Sequence, residues 1–288
     1  MNKFAVIDVG SNSVRLMLVA NGKVLYKTIQ TTRLGEGLSV APQLKTSAIE
    51  RSAQAVKTFY DRARKEGAEQ VLAFATAAVR TAKNGAEFIK RVKELCGLSV
   101  EIISGEEEAE LGILGALGYQ DGGILDIGGA STELIFRTSG KITYKKSVNV
   151  GVVRLKERCG NDPKLYYLTA EEAVKEFGKV ENGHTVYAIG GTATTLGAVA
   201  LGLINYDGSK VSGTVLSLDQ VKALSARLQS LSVEEIAKIP CVPLLRADVL
   251  TGGAIWLERI MERLNISKIV VSDSDNLEGY AKKQGLLE

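Results

Sequence analysis

"IDVGSNSVRL" (residues 7–16) returns as "LDIGGASTEL" (residues 125–134), so one chain of 288 residues writes the same phrase twice. Each copy runs from a hydrophobic residue through aspartate, a β-branched residue and glycine into small polar residues, then back to hydrophobics. At a constant offset of 118, Asp8 and Asp126, Gly10 and Gly128, Ser13 and Ser131, and Leu16 and Leu134 are identical. A buried strand, a glycine turn and a second strand are the expectation for each, and two related halves for the chain.

The flanking sequence extends the repeat. Residues 4–9, 13–20 and 23–31 predict three strands, the last two joined by Asn21-Gly22, a strong hairpin signal. Helical spacing over 46–65 ends at Gly67; then come a strand at 70–75, a helix at 85–95, a strand at 99–103 and a helix at 106–117. The meander restarts at 123–127, 132–137 and 141–148, with Ser139-Gly140 as its turn. Beyond it the pattern predicts a helix at 169–177, a strand at 185–189 and a helix at 217–229. A long helix over 246–264, interrupted at Gly252-Gly253, a strand at 268–272 and a C-terminal helix follow. This is an α/β fold with a partly parallel sheet in each half, divided into domains at 1–120 and 121–288.

Composition narrows the chemistry. Lys and Arg (36) nearly balance Asp and Glu (33), and no long basic run appears, so nucleic acid is not an expected partner and an anionic ligand must be held by local geometry. Three cysteines without a Cys-x-x-Cys pair suit reduced thiols in the cytoplasm. No signal peptide and no membrane helix are expected. A single histidine, His184, leaves catalysis to carboxylates and arginines.

A glycine turn after a buried strand lets backbone N–H groups approach an anion, and two facing turns make a phosphate clamp. "DVGSNS" supplies Gly10, Ser11, Asn12 and Ser13; "DIGGAS" supplies Gly128, Gly129 and Ser131; "IGGTATT" supplies Gly190, Gly191 and Thr192 as a third strand-to-turn junction. Hydroxyls at Thr132, Thr194 and Thr195 add donors. Carboxylates at Asp8 and Asp126 would repel phosphate unless a cation such as Mg²⁺ intervened; the alternative for each is turn capping. In "ISGEEEAEL" Ser104 and Glu107 form a capping box, and Glu108 serves either that helix start or as a general base over a bound phosphate. Arg80 and Arg246 stand near predicted strand ends, as phosphate ligands or as solvated surface arginines.

In order along the chain, "IDVGSNSVRL", "TTRLGEGL", "FATAAVR", "ISGEEEAEL", "LDIGGASTEL", "IGGTATTLGA", "RADVLTGG" and "VSDSDNLEGY" resemble the blocks of the exopolyphosphatase/guanosine pentaphosphate phosphohydrolase family. The resemblance implies two ribonuclease-H-like domains of the actin and sugar kinase superfamily around an interdomain cleft. It implies metal-dependent release of terminal orthophosphate from inorganic polyphosphate, or, alternatively, from pppGpp. It makes Glu108 the catalytic glutamate, Arg80 and Arg246 phosphate contacts, and Asp8, Asp126 and Glu133 the metal-associated acids. Mg²⁺ is the implied cofactor, with Mn²⁺ as a substitute, a monovalent cation as an assistant, and a homodimer as the assembly.

This chain departs from the family pattern at Ala77, Ala130, Ser212, Cys241 and Leu277; the last removes a cation near the C-terminal strand. The rivals to hydrolysis are a small-molecule kinase on the same fold, which would need an activating aspartate, and a non-catalytic polyphosphate or nucleotide sensor.

Overall fold

The computed structural model describes residues 2–180 and 184–287. They divide into two compact units: unit 1 holds Met1–Gly115 with Asn276–Glu288, and unit 2 holds Ala116–Asp275.

Unit 1 is built on β1 (Lys3–Val9), β2 (Ser13–Ala20), β3 (Lys23–Thr31), β4 (Gln70–Ala75) and β5 (Glu101–Ile102), in the sheet order β3-β2-β1-β4-β5. β1 pairs antiparallel with β2 and parallel with β4. Both faces of this sheet are covered, which is why its central strands read as nearly continuous hydrophobic runs. Ala5, Ile7, Val9, Leu16 and Leu18 face the helices Thr46–Lys65 and Gly85–Cys96 through Ile49, Val56 and Phe88. Val6, Met17, Val19 and Phe74 face the opposite way, onto Leu111 and the C-terminal helix Asn276–Lys283.

That C-terminal helix lies in unit 1, whereas a division at residue 120 groups it with the second half. The reason is its apolar stripe. Leu277 (1% exposed), Tyr280 and Ala281 complete the second core layer, and Tyr280 stacks on Phe74 with ring centroids 4.7 Å apart. Lys27 pairs with Glu278 at 2.9 Å, and Gly279 lies so close to Leu111 that a Cβ would fall 1.9 Å from its carbonyl oxygen. A leucine at 277 therefore fits its surroundings, where a buried arginine would need a counter-charge.

Unit 2 carries β6 (Gly122–Ile127), β7 (Thr132–Thr138), β8 (Lys141–Val148), β9 (Val186–Ile189), β10 (Val215–Ser217) and β11 (Lys268–Val271), in the order β10-β11-β9-β6-β7-β8. Its core gathers Leu125, Leu134, Phe136 and Ala188 against helices Val152–Cys159, Pro163–Ala173 and Ala247–Arg263. Trp256 is fully buried there, and its Nε1 donates to Thr132 Oγ1 at 2.8 Å.

Three local expectations change. The helix Ala247–Arg263 is continuous through Gly252-Gly253, because those glycines admit Tyr166 and Thr192 rather than break the helix: a Cβ on Gly252 would lie 2.4 Å from the Tyr166 ring. "IGGTATT" is a helix start, not a turn, since β9 passes directly into Gly190–Ala200. The helix expected at 169–177 begins earlier, at Pro163, where Asp162 caps it, and closes in a 3₁₀ turn, Val174–Phe177.

The offset of 118 persists in backbone detail. Gly10 N–H donates to Ser13 O at 3.0 Å, and Gly128 N–H to Ser131 O at 3.0 Å. Gly35 N–H donates to Ser11 O and Val153 N–H to Gly129 O, both at 2.8 Å. The register irregularity at Leu18/Val19 recurs at Phe136/Arg137, and the left-handed Asn21-Gly22 recurs as Ser139-Gly140. The meanders of the two units share one design, down to a bulge that sequence identity does not reveal.

Candidate functional site

In unit 1 the parallel strands β1, β4 and β5 end at one edge of the sheet, where α/β sheets bind ligands. Asp8, near the end of β1, is 3% exposed and faces its antiparallel partner Arg15. Arg15 Nε donates to Asp8 Oδ2 at 2.9 Å, and Nη2 joins the same oxygen. Beyond Asp8 the turn over residues 10–13 is backed by the segment after β3. Thr32 and Arg33 N–H both donate to Asn12 O, at 3.0 and 2.9 Å. A turn of this kind can offer its backbone N–H groups to an anion.

Arg80 lies in the short helix Ala77–Thr81 directly after β4. Its Nη1 donates to Ile103 O at 2.8 Å and to Glu108 Oε2 at 3.1 Å. Glu108 is 7% exposed in the first turn of the helix Gly105–Leu117. The neighbouring Ser104 and Glu107 do form a capping box: Ser104 N–H donates to Glu107 Oε2 at 2.9 Å and Glu107 N–H to Ser104 Oγ at 3.1 Å. The Ser104 backbone bond, foremost, holds the Glu107 carboxyl below its usual range. Capping thus falls to Glu107, while Glu108 is buried and oriented by an arginine.

In unit 2 the turn over residues 128–131 is backed by the start of helix Val152–Cys159, and a Cβ on Gly151 would lie 2.5 Å from Gly129 C. Asp126, at the end of β6, is 8% exposed. Its Oδ1 lies 2.6 Å from where a Cβ on Gly190 would stand, and Gly190 has φ +80°; only glycine suits that junction between strand and helix. Arg246 lies across Gly191, donating from Nη1 to Gly191 O and to Thr195 Oγ1, each at 3.0 Å. Asp126, Gly190, Gly191 and Arg246 therefore meet at the N-terminus of an 11-residue helix, a place suited to negative charge.

Not every expected donor is available for a ligand. Thr194 Oγ1 donates to Gly190 O at 3.0 Å, Thr195 Oγ1 to Gly191 O at 2.7 Å, and Thr132 Oγ1 to Val150 O at 2.6 Å. These hydroxyls satisfy the fold's own carbonyls. Thr192 is buried on the same helix. Glu133, 1% exposed, accepts from Ser147 Oγ at 2.6 Å.

Residue spacing alone carries one contrast between the copies. Asp8 faces Arg15 across β1 and β2, whereas Asp126 faces Glu133 across β6 and β7. Directly opposed residues in an antiparallel pair have Cβ atoms roughly 4.5–5.5 Å apart. Unit 1 thus sets an arginine opposite its aspartate where unit 2 sets a second buried carboxylate. Each pair is equidistant from its turn, so the register, and with it the Arg15 partnership, was available from the spacing of "DVGSNSVR". The Ser147 contact had no comparable sequence signal.

Glycine turns and a guarded carboxylate at the strand ends of duplicated α/β sheets define a protein equipped to handle anions. The chain belongs to the Ppx/GppA phosphatase family, whose sequence profile residues 4–283 match. It is 29% identical over 306 residues to a bifunctional 3-dehydroquinate synthase/phosphatase of Fusobacterium nucleatum, covering 96% of this chain but 45% of that protein. It is 29% identical over 313 residues to exopolyphosphatase 2 of Mycobacterium tuberculosis, covering 98% of each. Among solved structures, an exopolyphosphatase-like protein superimposes with a TM-score of 0.91 at 26% identity, covering 98% of both chains. The Aquifex aeolicus Ppx/GppA family member gives a TM-score of 0.79 at 30% identity, over 99% of this chain and 98% of its own.

Proposed function

We propose that this chain is an exopolyphosphatase that releases orthophosphate from the end of inorganic polyphosphate. The observation that carries the reading is the buried Glu108 carboxylate, held at 3.1 Å by Arg80, which is itself tethered to Ile103 O. A kinase must keep water from its phosphoryl group, whereas a hydrolase needs a fixed base for it. Membership in a phosphatase family and full-length similarity to a protein named exopolyphosphatase support the choice of hydrolysis and of polyphosphate.

In this reading Glu108 accepts the proton of an attacking water as the new P–O bond forms and the terminal phosphoanhydride bond breaks. Arg80 fixes the orientation of that carboxylate. In unit 1 the backbone N–H groups of the turn at Ser11 to Ser13, and in unit 2 those of Gly129 and Ser131 with Arg246 and the helix start at Gly190, Gly191 and Thr192, each offer donors suited to phosphate charge.

A magnesium ion fits the donor chemistry of buried carboxylates such as Asp8, Asp126 and Glu133. Such an ion takes one or two carboxylates and completes its shell with water and phosphate oxygens; among the described residues no three carboxylate, imidazole or thiolate side chains gather as a metal site. When bound, the ion would neutralise charge on the substrate phosphates.

Phosphate release from polyphosphate and from pppGpp, assayed side by side, tests the substrate. Faster release from polyphosphate is expected; turnover of pppGpp alone would replace it with the nucleotide reading, and tight polyphosphate binding without release would make the chain a sensor.

A further inference from the structure

Each meander carries a third residue in the row that holds its aspartate. In unit 1 Asp8 faces Arg15 across β1 and β2, and Arg15 faces Ile29 across β2 and β3. In unit 2 Asp126 faces Glu133 across β6 and β7, and Glu133 faces Ser147 across β7 and β8. Ile29 and Ser147 stand at the same offset of 118, so the duplicated frame holds a hydrocarbon in one unit and a hydroxyl in the other. Ile29 is 48% exposed, with a side chain that can neither donate nor accept. Ser147 is half-buried near the end of β8, and its Oγ donates to Glu133 Oε1 at 2.6 Å.

The middle residue of the row is therefore held from opposite directions in the two units. Arg15 reaches back to the first strand, to Asp8. Glu133 is held from the third, on the side of β7 away from β6 and Asp126. A hydroxyl donating to an ionised carboxylate makes a bond of about 2.5–2.7 Å, and the Ser147 contact has that length. A glutamate side chain has much rotamer freedom to lose. With Glu133 1% exposed and one carboxylate oxygen engaged from the neighbouring strand, the rotation of its head group is fixed.

We infer that Ser147 is a positioning residue for the proposed magnesium: its hydroxyl, reaching from β8 to β7, holds the Glu133 carboxylate in one orientation opposite Asp126. The inference rests on the metal-assisted form of the proposed hydrolysis and adds to it a residue that touches neither ion nor substrate. Carboxylates that bind metals are themselves held by hydrogen bonds, and losing such a partner costs about 10–100-fold in metal affinity.

Ser147→Ala removes the hydroxyl, and Ser147→Thr keeps it on a side chain that suits a strand. Melting curves of the full chain across a magnesium titration read ion binding without turnover. In Ser147→Ala the magnesium concentration that gives half the full shift is expected to rise about 10–100-fold, while Ser147→Thr stays close to wild type. A hydroxyl with a structural role alone would lower the melting temperature without magnesium and leave that concentration unmoved, and this result overturns the assignment. Phosphate release from polyphosphate, followed on the same proteins, keeps the two claims apart. A wild type that shows the magnesium shift but releases no phosphate defeats the hydrolytic reading alone, with Ser147 still supported if Ser147→Ala needs more magnesium. A wild type that hydrolyses polyphosphate but shows no magnesium shift defeats the Ser147 assignment and leaves hydrolysis standing.

Discussion

Adjacent glutamates at the start of the helix Gly105–Leu117 have been given opposite work. Glu107 is bound to Ser104 on both sides of a capping box, and Glu108 is turned inward to Arg80. Replacing Glu108 with glutamine keeps the shape and removes the proposed base, so kcat should fall by about 10²–10⁴-fold with little change in melting temperature. Glu107→Gln should retain activity, with a stability deficit that is present near neutral pH and vanishes in acid. The folded-state carboxyl of Glu107 is lowered, so the stability it contributes is present above its unfolded value, about 4.3, and is lost as pH falls through the folded value. Melting curves should therefore show the wild type losing its advantage over Glu107→Gln as pH drops below about 4.5. Sequence alone identified the capping box, yet it left Glu108 between two roles. Its partner, a guanidinium from a residue 28 positions earlier, is a tertiary contact with no local signature.

Elements were legible wherever the local rule and the tertiary demand coincide. Hairpins at Asn21-Gly22 and Ser139-Gly140 appear as expected because both central residues are left-handed, a demand that short-range sequence states openly. Gly252 shows the opposite case. Its conformational cost in a helix is local and legible, whereas the reason for accepting it is Tyr166, brought in by a separate helix and held by its own bond to Gly160 O at 2.8 Å. Magnitudes decide what an alanine would do there. Better helix propensity offers up to about 1 kcal/mol, and forcing a methyl against a fixed, buried ring costs about 1–3 kcal/mol. Gly252→Ala should thus destabilise unit 2 on balance, lowering its thermal midpoint by roughly 2–8 °C. A higher midpoint in calorimetry would mean that Tyr166 yields, and that helix propensity governs the site after all.

At the scale of the molecule, duplication explains the frame and divergence explains the chemistry. Both units keep the turn, the backing segment and the bulge at the same offset, but the residue seven positions after the aspartate is Arg15 in one and Glu133 in the other. Four identities in ten positions show the kinship; the charge reversal matters only once register puts each residue opposite its aspartate. Unit 1 pairs its aspartate with an arginine, while unit 2 sets Asp126 opposite Glu133, where the proposed magnesium would bind. Magnesium should then raise the melting temperature of the wild type, as any ligand of the native state does, and chelator should reverse the gain. Glu133→Arg copies the unit 1 pair into unit 2, with Asp126 meeting a guanidinium instead of a metal. That variant should lose both the magnesium-dependent shift and polyphosphate hydrolysis, while Glu133→Gln, which removes one carboxylate without supplying a cation, should keep a reduced shift. Melting curves with and without magnesium give the answer independently of turnover: an undiminished shift in Glu133→Arg would move the metal away from Asp126 and Glu133.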